Sequence, residues 1–356
     1  ASYRTLNTSK DKPLLNRALR GTYPPGSTYK PFMAWAALAS GKRGPNVTIA
    51  DPGYFWFGNH KFRDDKEGGH GMVDMYRSIV HSCDTYYYTL ANEMGVDLMA
   101  QYLSPFGFGQ LTGIDLEGEV RGVLPSTEWK RRAYRKPEQQ RWYAGETISL
   151  GIGQGYNNFT VLQMAQATGV LSTGGQRQVP HLVREVLDVV GGTRRAVQPP
   201  LPAPLPMKPE HLDVIRKAMI GVNLEGTSSA AFRGATYTSG GKTGTAQVVG
   251  IKQNEKYNAA KMAEHLRDHA LFVAFAPADA PTIALAMVVE NAGFGGVAAA
   301  PIARRVFDYQ LLGQWPSEED IAATREARST VPTGAARRAA EVAIPGLAAS
   351  QAVAAP

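Results

Sequence analysis

Beyond Gly240 the texture of this sequence changes, and that change restricts the fold more than any other feature. Three short apolar runs of β character, residues 245–249, 270–276 and 282–290, follow one another, bounded by Pro and Gly. The stretches ahead of them are patterned as helices. Residues 33–39 are apolar almost all round, which predicts a buried helix over 27–40. Ser27 would cap it, Pro31 falls in its first turn, and Gly41 stops it. Further helical patterns cover 72–104, 158–171 and 211–222, and a closing helix covers 300–312. Helices first, then three neighbouring strands, predict an α+β fold: a sheet covered by helices, and not a doubly wound parallel one. From Ser317 the chain is Ala-rich, with interspersed charge and prolines. That composition predicts a flexible tail over 316–356 behind a main domain of residues 1–315.

The whole-chain numbers exclude some classes of function. With 356 residues and 44% apolar composition, a sizeable core is available. Lys plus Arg outnumber Asp plus Glu by 38 to 31, yet no basic helix or aromatic-basic strand pattern accompanies the +7 charge, so no nucleic-acid partner is expected. A single cysteine, Cys83, rules out an internal disulfide framework. No apolar run approaches the roughly 18 residues of a membrane span, and no signal peptide opens the chain. Any targeting or anchoring segment is expected upstream of Ala1.

Chemistry concentrates first at Ser27-Thr28-Tyr29-Lys30. A serine hydroxyl needs an adjacent base to act as a nucleophile, and Lys30, one helical turn on, stands on the same face. A buried lysine with a depressed pKa could take the serine proton, and a helix start favours a developing oxyanion. Alone, S-x-x-K is a frequent chance pattern, with Ser27 a cap and Lys30 a solvated side chain. Two further pieces change the balance. Ser82-Cys83-Asp84 falls in the helical region, and Lys242-Thr243-Gly244-Thr245 stands at the entrance to the first strand. Ser82 could relay a proton between Lys30 and a leaving amine. Lys242, Thr243 and Thr245 could hold a carboxylate. Gly244 would let a substrate backbone lie along the strand edge, and the Thr245 N–H could join that of Ser27 as an oxyanion donor.

In that order the three pieces form the signature of penicillin-binding proteins and class A β-lactamases. The chain resembles the transpeptidase domain of class B penicillin-binding proteins, and within them the elongation type. Tyr23-Pro24-Pro25-Gly26-Ser27-Thr28, Gly107-Phe108-Gly109, Thr112-Gly113-Ile114-Asp115-Leu116, Gly151-Ile152-Gly153-Gln154-Gly155-Tyr156 and Thr245-Ala246-Gln247-Val248 carry the likeness, from about 16 to 312. It implies a mainly antiparallel five-stranded sheet flanked by helices, plus an all-helical subdomain. It also implies a Ser27 acyl-enzyme that cross-links D-Ala-D-Ala stem peptides of peptidoglycan in cell elongation, with covalent inhibition by β-lactams. Lipid-linked glycan and a RodA-type membrane glycosyltransferase are the implied partners. A periplasmic site on an inner-membrane anchor and pedestal, both outside this chain, is implied too, with no cofactor for the chemistry. Asp84 departs from the Asn of many relatives, in the direction of the elongation type; a carboxylate there favours a charged Lys30.

Two readings of Cys83 stay open. A lone cysteine is commonly a small buried apolar residue. Asp51, Asp64 and His70 precede it in a polar, glycine-rich stretch, and with Cys83 they would satisfy a tetrahedral, structural Zn²⁺; some elongation-type relatives bind zinc in this region. His60, Asp65, Glu67 and His81 compete as ligands. Residues 129–141, rich in Lys and Arg, read as a solvated face; Trp142 and Tyr143 read as core or cleft wall, and Glu225-Gly226-Thr227 as a turn. Two other functions use the same parts: a serine β-lactamase, for which no Glu followed by x-x-Leu-Asn is present, and a non-catalytic penicillin sensor.

Overall fold

The computed structural model describes residues 2–250, 258, 261–326, 328 and 330–342. The N-terminal stretch ends in a 3₁₀ turn, Gly26–Tyr29, that runs into helix α1, Lys30–Ala39. The α-helix therefore starts three residues later than its sequence suggests, and Ser27 sits inside the turn instead of capping it. Thr28 does the tying, its hydroxyl donating to the Pro25 carbonyl at 2.6 Å. Every residue from Lys30 to Leu38 is buried. Phe32 and Trp35 meet Phe106 edge-on, and Phe32 also meets Phe108; burying a side chain such as Phe32 stabilises by about 1.5–3 kcal/mol.

Four short strands follow. β1 (Ile49–Asp51) pairs with β4 (Gly71–Val73), and β2 (Tyr54–Phe57) with β3 (His60–Arg63), all antiparallel. The helical stretch expected over 72–104 is three helices: α2 (Met75–Val80), α3 (Asp84–Met94) and α4 (Val96–Leu103). Asp74 caps α2 by accepting from Arg77 N–H at 2.8 Å. Ser82 at φ +62° and Gly95 at φ +73° interrupt the chain on either side of α3. Helices α5 (Thr127–Ala133), α6 (Ala144–Ile148) and α7 (Val161–Ser172) come next. Thr160 and Gln163 form a capping box at the start of α7. The hairpin β5 (Glu185–Leu187) and β6 (Arg194–Ala196) is exposed along its whole length, and α8 (Pro209–Leu224) returns the chain to the core.

The central sheet has the order β9-β8-β7 and is antiparallel, with β7 at Gly240–Ala246, β8 at His269–Ala276 and β9 at Ile283–Val289. Leu271 lies opposite Gly244 and Val288, and Phe272 opposite Thr243 and Met287. β7 starts five residues earlier than the sequence suggests, so the Lys242–Thr245 motif lies within the strand and not at its entrance. Gly240 and Gly241 extend the strand because the rings of Phe275 and Phe272 fill the space a Cβ would need. Among the described residues this sheet has three strands where the resemblance implies five; β5 and β6 pair only with each other. One face is covered by α7, α8 and the α1 core, and the other by Phe232 and α9 (Ala300–Leu312) through Phe307 and Ala303.

The segment expected to be a flexible tail docks as far as the described residues reach. Ser317 caps α10 (Glu318–Arg325), and buried Asp320 accepts two hydrogen bonds from the Arg305 guanidinium at 2.6 and 3.0 Å. Gln314–Trp315 pairs with Arg337–Arg338. Composition misleads here because the anchor is one buried ion pair reaching back to α9; residues 343–356 of the expected tail lie outside the described residues. No helix among the described residues is long and apolar enough to cross a membrane.

Candidate active site

The 3₁₀ turn leaves Ser27 half-buried and sends Lys30 into the interior, where its side chain is fully buried. Lys30 Nζ donates to the Ser82 carbonyl, to Ser82 Oγ at 3.1 Å and to Asp84 Oδ1 at 2.6 Å. Ser82 reaches it because the serine lies between α2 and α3 in a left-handed conformation, and not within a helix. Such a backbone costs about 1–3 kcal/mol and persists only where its surroundings hold it. Three acceptors meet the three protons of an ammonium. Burial pulls the Lys30 pKa down, but Asp84, Asp65 and Asp64 outweigh it and hold it above the ordinary lysine value. Lys30 thus follows the charged direction that Asp84 implies in the sequence, and not the depression that burial alone would give; the contributions of Asp65 and Asp64 come only from the fold. Burial in turn drives the Asp84 carboxyl up, against the pull of Lys30. The pair rests as an ion pair whose acid partner is a ready proton acceptor.

Opposite this turn lies β7. Lys242 is fully buried, with its Nζ donating to the Thr243 carbonyl at 3.1 Å. Burial first, and then the nearby Lys30 charge, push its pKa well below the ordinary value. Gly244 stands on β7, an outer strand of the sheet. A Cβ there would come within 2.8 Å of Thr28 Cγ2 and 3.1 Å of the Pro25 carbonyl, so the missing side chain lets the nucleophile turn seat on β7. Gly26 answers from the other side: its φ is +52°, and a Cβ would stand 2.4 Å from the Thr245 oxygen. The segment 151–156 ties both together, with Gly26 N–H donating to the Gly153 carbonyl at 3.0 Å and Gln154 Nε2 to the Thr245 carbonyl at 3.0 Å. Gln154 acquires a role that its motif alone did not specify. Thr227, read from sequence as part of a turn, has its hydroxyl 2.6 Å from that of Thr243.

Behind Ser82 and Asp84 lies the second group of sequence candidates. Asp51 at the end of β1, Asp64 after β3, His70 before β4 and Cys83 before α3 bring one ligand atom each within 4.8 Å of the others. His70 Nδ1 is 2.8 Å from Asp51 Oδ2 and 3.4 Å from Asp64 Oδ1, and Cys83 Sγ is 3.3 Å from Asp51 Oδ2. His60, Asp65, Glu67 and His81 are not in this group. Backbone N–H groups of Gly53 and His70 fix Asp51, and that of Thr85 fixes Asp64, at 2.7–2.8 Å. Burial and the Asp64 charge push the Cys83 thiol far up. Burial disfavours the ionised Asp51 and Asp64, yet hydrogen bonds at both, and the Lys30 charge at Asp64, hold their carboxyls below the usual range, so two carboxylates stand beside the thiol and the imidazole. This donor set fits a tetrahedral Zn²⁺.

Comparison with known proteins agrees with the geometry. The family model for the penicillin binding protein transpeptidase domain matches residues 1–308. The chain is 46% identical over 312 residues to the peptidoglycan D,D-transpeptidase MrdA of Acinetobacter baumannii, covering 87% of this chain and 45% of the relative. It is 40% identical over 332 residues to MrdA of Escherichia coli K12, covering 91% and 52%. The chain spans about half the length of the curated relatives it matches. Among solved structures, Pseudomonas aeruginosa PBP2 in complex with WCK 5153 superposes with a TM-score of 0.74 at 40% identity, over 87% of this chain and 67% of that one. PBP2 of Helicobacter pylori, in its complex with MreC, superposes with a TM-score of 0.73 at 30% identity, over 87% and 54%. With a family match over most of its length and an interlocked serine, lysine and K-T-G strand, this chain belongs to the penicillin-binding protein transpeptidase domain family.

Proposed function

We propose that residues 1–315 form the catalytic unit of a peptidoglycan D,D-transpeptidase of cell elongation, with Ser27 as the acylated nucleophile. Ser27 Oγ attacks the carbonyl of the penultimate D-Ala of a stem peptide, and the bond to the terminal D-Ala nitrogen breaks. Lys30, after passing a proton to Asp84, takes the Ser27 proton, and Ser82 hands it to the leaving amine. The Ser27 and Thr245 N–H groups stabilise the oxyanion, while Lys242, Thr243 and Thr245 bind the terminal carboxylate. An amine from a neighbouring stem then attacks the ester, and Ser27 regains its proton. A β-lactam acylates the same serine. The single observation that carries this reading is the fully buried Lys30 held against Ser82 and Asp84, one turn from Ser27.

Asp51, Asp64, His70 and Cys83 hold a structural Zn²⁺ in this reading. Bound, the metal supplies a cross-link and a counter-charge. The chain's own residues then fix the backbone at Cys83 and hence Ser82 and Asp84. The chemistry itself needs no cofactor. The whole protein works in the periplasm on an inner-membrane anchor, beside a RodA-type glycosyltransferase that polymerises lipid-linked glycan. Support for partnership comes from related chains, one in complex with MreC and one in a peptidoglycan synthase complex that coordinates polymerization and crosslinking.

Labelling with a fluorescent penicillin, followed by peptide mass mapping, tests the nucleophile. One stable adduct is expected, on Ser27. A label on another residue sinks the assignment, and rapid turnover of the penicillin turns the reading toward a hydrolase.

A further inference from the structure

Thr227 belongs to no motif, yet its hydroxyl touches the Thr243 hydroxyl at 2.6 Å, a short separation for an O–H···O bond. The turn that presents it is firmly held. Gly226 N–H donates to the Gly221 carbonyl at 2.9 Å and Ser228 N–H to that of Val222 at 3.2 Å. Ser228 Oγ donates to Asn223 Oδ1 at 2.7 Å, and Asn223 Nδ2 reaches Ser239 Oγ, just ahead of β7, at 2.9 Å. Thr227 itself is exposed, so it faces the solvent from which a substrate arrives.

Each hydroxyl carries one proton, so one of the two threonines donates to the other. If Thr243 donated to Thr227, its proton would be lost to any substrate. If Thr227 donates, the Thr243 proton is free to point at a carboxylate, and the chain of two hydroxyls strengthens that bond. Lys242, which shares the carboxylate in this reading, is buried with its Nζ turned to the Thr243 carbonyl, so the Thr243 hydroxyl matters beside it. We propose that Thr227 is a positioning residue for the substrate carboxylate, orienting the Thr243 hydroxyl so that it donates to that group. The proposal rests on the transpeptidase reading above and adds a specificity element to it.

The test measures the initial dissociation constant and the acylation rate separately, for benzylpenicillin and for its uncharged methyl ester. Wild type, Thr227→Val and Thr227→Ser are compared. Thr227→Val removes the neutral hydroxyl–hydroxyl bond that orients Thr243, a contribution of about 1 kcal/mol, so it should weaken benzylpenicillin binding by about fivefold. Its acylation rate and melting temperature should stay near wild type. Thr227→Ser, which keeps the hydroxyl, should bind within about twofold of wild type. For the ester, Thr227→Val and wild type should not differ. Unchanged benzylpenicillin binding in Thr227→Val overturns the proposal, as does an equal loss with the ester. So does an equal loss in Thr227→Ser, which would assign Thr227 to the shape of the turn. A wild-type chain that is never acylated defeats the transpeptidase reading and this proposal together; an acylated wild type with an indifferent Thr227→Val defeats this proposal alone.

Discussion

Among the described residues, two lysines are buried against a carboxylate, Lys30 and Lys130, and their surroundings set them apart. Lys30 faces Asp84 at 2.6 Å, with the hydroxyl and carbonyl of Ser82 as its other partners. Lys130 on α5 faces both oxygens of Glu146 on α6 at 2.5 and 2.6 Å, inside a box of Trp142, Tyr143 and Tyr156 whose ring centres lie 5.4–5.5 Å from its Nζ. Around Lys30 the hydrogen-bonding side chains, Ser82 and Asp84, can give or take a proton, and one ring, that of Tyr87, lies 5.5 Å from its Nζ. Around Lys130 the rings offer only a favourable face to a cation, and Glu146 is further occupied by the Tyr143 N–H and the Tyr156 hydroxyl. The same ion pair is poised for proton transfer in one place and is a clamp in the other. The clamp still serves the site, since α6 leads directly into the segment that binds Gly26 and Thr245.

Substituting each lysine by methionine should separate the roles most sharply. Lys30→Met should reduce acylation by penicillin by about 10²–10⁴-fold, the range for loss of a general base. Lys130→Met should keep acylation within about tenfold of wild type but lose stability. Removing one partner of a buried pair costs about 3–5 kcal/mol; with Glu146 a quarter exposed, about 1–3 kcal/mol is expected here. Acylation kinetics and urea midpoints on both variants decide it. A folded Lys130→Met that acylates as poorly as Lys30→Met would erase the distinction.

The next largest contrast concerns what stands behind each lysine. Lys30 is backed by the Asp51, Asp64, His70 and Cys83 cluster, and Lys130 only by rings. Chelation should lower the melting temperature of the wild type by several degrees and slow its acylation, since Ser82 and Asp84 flank Cys83. Cys83→Ser should melt low from the start and respond little to chelator, and Lys130→Met should respond as wild type does. Purified protein without stoichiometric zinc, melting unchanged by chelation, would remove the metal from the account.

How far these sites can be read in the sequence depends on how local their signals are. Ser27 and Lys30 lie one turn apart, and β8 and β9 are nearly continuous apolar runs, so a window of a few residues carries them; β7, rich in glycine and threonine, carries only its last residues that way. The cluster of Asp51, Asp64, His70 and Cys83 is foreshadowed by a polar, glycine-rich stretch ahead of Cys83, though spacing does not select Asp64 over Asp65. Thr227 was not legible, because its meaning is a contact with Thr243 across the gap between a turn and a strand. Lys130 was misleading: in a run of cations it resembles a solvated side chain, and only the fold encloses it in three rings. The 317–338 segment misled for the same reason, its composition hiding the one buried pair, Asp320 with Arg305, that docks it.

The smallest expected effect, and the most diagnostic, is the response of the two pairs to acid. Burial raises the Glu146 pKa, but the hydrogen bond from Lys130, with those from Tyr143 N–H and Tyr156, brings it below its ordinary 4.5. A carboxylate whose folded pKa is depressed contributes stability that is present above the unfolded value. That stability is lost as pH falls through the folded one, because the unfolded chain takes up the proton first. Glu146→Gln should therefore be less stable than wild type at neutral pH, and the gap should close as pH falls below about 4.5. Asp84 has the opposite sign: burial raises its pKa, so its protonation in the folded state begins at a higher pH than in the unfolded chain and adds no such loss on the acid side. Urea midpoints between neutral and acid pH, for wild type, Glu146→Gln and Asp84→Asn, measure both slopes. A gap for Glu146→Gln that is constant with pH would mean the clamp is held by its aromatic walls alone, and a working lysine–carboxylate couple would then belong to Lys30 and not to Lys130.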